Sequence, residues 1–289
     1  MSELEHATAL INGLNLHYVR AGSGPLVVLL HGFPEFWYSW RHQIPALAET
    51  HTVVALDQRG YNLSDKPALW QHYTIDLLID DVRALIEHLG FERATIVGHD
   101  WGGAVAWTFA MRYHGYVERL VVMNLPHPKL MIKNLWTNPR QMLRSWYIFM
   151  FQIPGLPEWF AKRNNFEFLT KALTSAVQRP GVFSADDIHA YKQAWSQPGA
   201  LTAMINWYRA YVRQGLKHLN QLSTHAVHAP TLLIWGTADG ALGQELTYGT
   251  ERYATDLRIR YLTDVSHWVQ QEAPNEVNAV LIPFVRGEG

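Results

Sequence analysis

Short apolar runs alternate along this chain with amphipathic stretches, and that alternation restricts the fold more than any other feature. The runs are "PLVVLLHG" (25–32), "HTVVALDQRG" (51–60), "RATIVGHD" (93–100), "RLVVMNLP" (119–126), "APTLLIWGTAD" (229–239) and "LRIRYLTDVSH" (257–267). Each breaks at Gly, Pro, Asn or Asp. Apolar continuity of this kind suits strands covered on both faces, as a parallel sheet requires. In the stretch "TIDLLIDDVRALIEHLG", Ile75, Leu78, Ile79, Val82, Leu85, Ile86 and Leu89 recur at a helical period. Thr74 is placed to cap its start and Gly90 its end. "GGAVAWTFAMRYHG" and "PNEVNAVLIPFVRG" also carry helical patterning. Strand alternating with helix predicts an α/β fold with a parallel sheet and right-handed crossovers.

The rhythm breaks between residues 127 and 225, where no strand-like run occurs. Residues 136–211 hold fifteen aromatic side chains, among them Trp146, Tyr147, Trp159, Tyr191, Trp207 and Tyr208. A linker would be polar, so this stretch is expected to be an inserted helical cap with an apolar underside. The predicted division is a core of residues 1–126 and 226–289 with a cap of residues 127–225. Hydrophobic residues make up 48% and charged residues 17% of the 289, so the chain is globular. A net charge of −1 without a basic tail gives no reason to expect nucleic acid or a membrane as partner. With no cysteine, disulfides, thiolate metal sites and a cysteine nucleophile are excluded. The first 22 residues lack a secretory pattern, and the apolar runs are far below the roughly 20 residues a spanning helix needs. The expectation is a soluble, cytoplasmic protein, monomer or homodimer.

Gly98-His99-Asp100-Trp101-Gly102 sits between the run "ATIV" and a helical pattern, the strand–turn–helix setting of a nucleophile elbow. The flanking glycines allow a tight bend, and the helix start favours an anion. Such turns usually present a hydroxyl; here the central residue is Asp100. A carboxylate of reference pKa about 3.9 is ionised at neutral pH and attacks without a base. Attack on an ester carbonyl would give an anhydride, which gains little. Attack on saturated carbon gives an alkyl ester that water can hydrolyse, so the chemistry points to epoxides or alkyl halides.

Hydrolysis of that ester calls for a general base near neutral pH, and histidine is suited to it. Of fifteen histidines, His267 follows the last strand-like run and precedes a helical stretch. The order Asp100, Asp239, His267 matches the nucleophile, acid, histidine order of elbow hydrolases. Asp239 closes "PTLLIWGTAD"; Asp256 and Asp264 are rivals that do not read as lying at the carboxyl end of a strand. The preceding strand offers only neutral Asn124. In "HGFPE" the Phe33 amide can pair with the Trp101 amide as an oxyanion hole, with His31 bracing that loop. Asp57, Arg59 and Ser64 of "DQRGYNLSDKP" read as bracing a turn.

The set "HGFPEFWYSWRHQIPALA", "DQRGYNLSDKP", "GHDWGG", "NLPHP" and "SHW" resembles the soluble epoxide hydrolases of the α/β-hydrolase fold over nearly the full chain. The resemblance implies a mostly parallel eight-stranded sheet flanked by helices, with an inserted helical cap. It also implies two cap tyrosines that donate hydrogen bonds to the epoxide oxygen. One is Tyr208, in Asn206-Trp207-Tyr208-Arg209; the other is Tyr147, four residues before Phe151-Gln152-Ile153-Pro154-Gly155. Tyr191 and Tyr211 are possible substitutes. Phe33, Trp101, Tyr147 and Tyr208 are then the substrate-binding residues, the substrate is a small apolar epoxide attacked with water, and no cofactor or metal is implied. A phenol of pKa about 10 protonates an opening alkoxide well, whereas a departing halide needs no acid. A haloalkane or haloacid dehalogenase shares the Asp–His–acid core; the Trp101 indole could be one halide donor and a cap tryptophan the second, since Phe33 cannot donate, while Trp101 replaces the arginine that would hold a carboxylate. A non-catalytic binding protein of this fold would be expected to have lost one of these residues.

Overall fold

The computed structural model describes residues 4–221 and 226–288. Eight strands lie in one sheet in the order β1-β2-β4-β3-β5-β6-β7-β8. They are β1 (Glu5–Ile11), β2 (Leu14–Ala21), β3 (Leu26–Leu30), β4 (Thr52–Leu56), β5 (Ala94–His99), β6 (Val117–Met123), β7 (Thr231–Gly236) and β8 (Leu257–Leu262). β1 pairs with β2 and β2 with β4 antiparallel; all other pairs are parallel. Strands β3 to β5 and β7 are buried at every position, which their valine, leucine and isoleucine content requires.

Two expectations need correction. The run 257–267 is not covered on both faces. Only Leu257–Leu262 is strand, it lies at the sheet edge, and its side chains alternate between half-buried and exposed. Arg258 and Arg260 fill the exposed positions, as suits an edge. The other apolar runs also outlast their strands. Asp57, Asp100 and Asn124 each follow directly on the end of β4, β5 and β6, and Asp239 lies just beyond the end of β7, at the carboxyl ends where ligands gather in such sheets.

Helices α1 (Ile44–Leu47), α2 (Ile75–His88), α3 (Trp101–Arg112), α10 (Val269–Glu272) and α11 (Pro274–Arg286) flank the sheet. α2 buries Leu78, Ile79, Val82, Leu85 and Ile86. Thr74 is its N-cap residue, but its side chain makes no capping bond, contrary to expectation. Gly90 does end it: φ is 79°, the Gly90 amide donates to Glu87 and the Phe91 amide to Ile86, a Schellman closure. Asp57, Arg59 and Ser64 brace their turn as expected. Asp57 accepts from the Trp37 amide at 2.9 Å and from Asn62 at 2.7 Å, Ser64 bonds the Asp57 carbonyl at 2.5 Å, and Arg59 grips Asp81 through two nitrogens.

Between β6 and β7 the described residues form helices and no strand: α4 (Pro128–Thr137), α5 (Pro139–Arg144), α6 (Trp146–Met150), α7 (Leu156–Thr174), α8 (Ala185–Ser196) and α9 (Ala200–Gln221). α7 is broken at residues 163–166, where Asn164, Asn165 and Phe166 have positive φ. Aromatic donors clip these helices to the loops beneath. The Trp195 indole donates to the Pro34 carbonyl at 2.6 Å and the Trp207 indole to the Arg59 carbonyl at 3.1 Å. The expected end of the cap, at residue 225, lies outside the described residues. No helix among the described residues is long and apolar enough to cross a membrane.

Candidate active site

Asp100 stands between the end of β5 and the first residue of α3, with φ 49° and ψ −121°. Such a conformation costs on the order of 1–3 kcal/mol and persists only where its surroundings impose it. Glycines leave the space that this close packing needs. A Cβ on Gly98 would sit 2.2 Å from the Gly102 carbonyl oxygen, one on Gly102 2.0 Å from that of Leu30, and one on Gly32 2.4 Å from the Asp100 Cβ. The Phe33 amide donates to Asp100 Oδ1 at 2.8 Å. α3 begins at Trp101, so the Trp101 amide lies in the first turn, beyond reach of an intrahelical acceptor. Burial by itself would raise the Asp100 pKa, but the His267 imidazole, His99 and the Phe33 amide together hold it below the usual carboxylate value.

The three residues expected to act together meet in one line. His267 Nδ1 lies 2.6 Å from Asp239 Oδ2, and its Nε2 lies 3.5 Å from Asp100 Oδ2. Asp239 is itself fixed: Oδ1 accepts from the amides of Ala241 and Leu242 at 2.7 and 2.9 Å, and Oδ2 from Asn124 at 2.7 Å. A carboxylate so placed requires a proton on Nδ1 and turns Nε2 toward Asp100. Burial pushes the His267 pKa down, yet Asp239 and Asp100 outweigh it and raise the pKa well above the ordinary histidine value. Burial likewise opposes, and His267 and Asn124 overcome, so that Asp239 stays low. Placed between the two carboxylates, the imidazole is thus biased toward its charged form. Asp256 and Asp264 are exposed and apart from this line. Asp264 does follow the carboxyl end of β8, contrary to the reading of that run, but the loop carries it to solvent.

A second buried pair lies beneath the first and was not foreseen. His99 Nδ1 is 2.8 Å from Glu35 Oε2 and its Nε2 is 2.8 Å from the His267 carbonyl oxygen. A carbonyl only accepts, so Nε2 carries a proton. Glu35 also takes Nε2 of Gln271 at 2.6 Å and of Gln270 at 3.1 Å. The pair ties the "HGFPE" loop, the elbow and the His267 loop together. The signal available was the presence of Glu35 and His99 inside the two motifs already singled out. Asn124 was read only as a missing acid; it serves instead as a donor to Asp239. His31 braces its loop: its ring bonds the Gly32 carbonyl at 3.0 Å and accepts the Gln58 amide at 3.1 Å, and burial lowers its pKa.

Tyr147 on α6 and Tyr208 on α9 border the same cavities as Asp100. On one side of the carboxylate a cavity of about 70 Å³ runs past Ala104, Leu125, Met131 and Tyr211. A second of about 50 Å³ shares Trp101, Ala104, Pro128 and Tyr211 with it and continues to Thr108 and Gln214. On the other side a cavity of about 210 Å³ is bordered by Phe33, Trp146, Phe168, His267 and Trp268. Tyr208 packs edge-on to Phe33 at 5.2 Å and to Trp101 at 5.0 Å, so four expected substrate contacts form one aromatic wall. Burial, with Asp100 nearby, raises the pKa of both tyrosines, which stay protonated at neutral pH. Tyr191 bonds Gln271 and borders none of these cavities, which removes it as a substitute; Tyr211 lies within reach of the cavity space. Among the described residues no group of three or more acids and histidines is placed to hold a metal ion.

Residues 25–274 match the family model of the alpha/beta hydrolase fold. The chain is 43% identical over 280 residues to the AB hydrolase superfamily protein YfhM of Bacillus subtilis, covering 96% of each. It is 41% identical to epoxide hydrolase 4 of Mus musculus, over 96% of this chain and 78% of that protein. Among solved structures it is similar to an epoxide hydrolase of Bacillus megaterium, with 38% identity and a TM-score of 0.91 over 97% of this chain and all of that one; a variant of that enzyme was crystallised with its product, a naphthyloxy propanediol.

Proposed function

Because the chain belongs to the epoxide hydrolases of the alpha/beta hydrolase fold, we propose that it converts apolar epoxides to vicinal diols through a covalent ester on Asp100. Asp100 Oδ2 attacks one ring carbon; the bond from that carbon to the epoxide oxygen breaks, and its electron pair goes to the oxygen. Tyr147 or Tyr208 gives that oxygen its proton and becomes a phenolate. Ester formation removes a negative charge beside His267 and lowers its pKa, so the imidazolium proton returns to the phenolate. His267, now neutral, takes a proton from water, and the hydroxide adds to Cγ of Asp100. Oδ1 becomes the oxyanion, held by the amides of Phe33 and Trp101. Collapse breaks the bond between Cγ and Oδ2. The diol leaves with Oδ2, taking its proton from the new carboxyl group, and the starting charges are restored. Asp239 holds the imidazole in the required tautomer. In this reading residues 127–225 act as the cap that carries both phenols.

The observation that carries the proposal is that two phenols, a carboxylate on an elbow and an Asp239-bound imidazole border one apolar cavity. Phenols placed opposite a nucleophile favour an oxygen leaving group over a halide. A panel of mono- and disubstituted epoxides with haloalkane controls tests it: diol from the epoxides supports the assignment, and halide release without diol overturns it.

A further inference from the structure

We propose that the outer face of helices α5 to α7 is a docking surface for an anionic lipid bilayer. Leu143 is 72% exposed, Phe149 62%, Trp159 57% and Trp146 56%, and Ile153 and Phe160 of the same segment are exposed as well. Large side chains are rarely left to water in such a group unless something covers them. The face is also basic. Helices α5 to α7 carry Arg140, Arg144, Lys162, Arg163 and Lys171 against Glu158 and Glu167; Glu158 is already paired with Arg209 and Glu167 with Lys171, each at 2.7 Å, which leaves Arg140, Arg144, Lys162 and Arg163 in excess. The near-zero total charge conceals this local excess.

Charge decides between occupants. A second copy docked on the same face by a two-fold axis would set these cations against one another. An anionic surface answers them, and tryptophan with arginine is the composition that seats a helix face among headgroups. Arg163 lies over the Trp159 ring at 5.1 Å, which keeps an apolar body and a cationic head together at one depth. The face is continuous with the cavity. Trp146 is exposed on it and also borders the space around Asp100 and His267, and Phe160 packs on Phe168 of that same wall with ring centres 4.9 Å apart. A bilayer seated there would stand at the mouth through which an apolar compound enters.

Binding is independent of the reaction and is measured without turnover. The full chain is sedimented with phosphatidylcholine vesicles, with and without phosphatidylglycerol. The proposal expects at least about tenfold more protein bound to the anionic vesicles, falling as salt is raised. Arg140→Glu with Arg144→Glu, and separately Phe149→Ser with Trp159→Ser, are each expected to reduce that binding about tenfold. Circular dichroism verifies that each variant is folded, and none of these four residues borders the catalytic cavity. Equal partition to both vesicle types, no partition to either, or folded variants that bind like the parent would overturn it. So would a dimer in sedimentation equilibrium that Phe149→Ser with Trp159→Ser dissociates.

Discussion

Asp100, His267 and Asp239 set one another's ionisation, and this coupling is measurable. The folded-state pKa of His267 is raised above its unfolded value near 6.5, so its stabilisation is fully present below that value. It is lost as pH rises through the folded pKa. Denaturant unfolding of the parent is therefore expected to lose stability above about pH 6.5 relative to His267→Gln; parallel curves in that range would contradict the coupling. The same variant should still be alkylated at Asp100 but hydrolyse the ester slowly, with kcat lower by about 10²–10⁴-fold and the adduct visible by peptide mass. These three residues were legible from sequence because chain order and position after a strand suffice to place them. Glu35 and His99 were not, since their pairing depends on three loops meeting under His267, which no spacing encodes.

The elbow carries its own prediction. Gly98→Ala and Gly102→Ala would each press a methyl group onto backbone carbonyl oxygen, at 2.2 and 2.0 Å, and neither neighbour can rotate away. Each is expected to destabilise by more than about 3 kcal/mol or to prevent folding. Gly90→Ala has positive φ but open space around it, so its cost should be limited to about 1–2 kcal/mol. Equal melting temperatures for Gly98→Ala and Gly90→Ala would refute the steric account. Several elements were readable before the structure: α2 from its period, its end from Gly90, the elbow from its glycines. The β1–β2 hairpin was not among the apolar runs, although Asn12-Gly13, both with positive φ, supplies a hairpin turn between Ile11 and Leu14. The strand ends were overdrawn because an apolar run does not record where ladder bonding stops. In β8, alternation marked an edge that continuity alone did not show.

Across the whole molecule, cavity space lies on both sides of Asp100, which suits an epoxide bearing a substituent on each carbon. Ala104 borders both cavities of one arm. Ala104→Leu is expected to raise KM for long-chain epoxides by about tenfold, the size of one to two buried methylene groups, while the smallest substrates are little affected. A uniform change across chain lengths would argue against two arms. The sequence marked an aromatic-rich helical stretch but not this partition, which depends on how α4, α6 and α9 settle around Tyr147, Tyr208 and Tyr211. The central claim is that Asp100 bonds to substrate carbon and that water then attacks the aspartyl ester. One turnover in heavy-oxygen water, with enzyme in excess, tests it most directly. The account predicts an unlabelled diol and one heavy oxygen in the Asp100 peptide; label in the diol with an unlabelled peptide would mean that water attacks the epoxide itself.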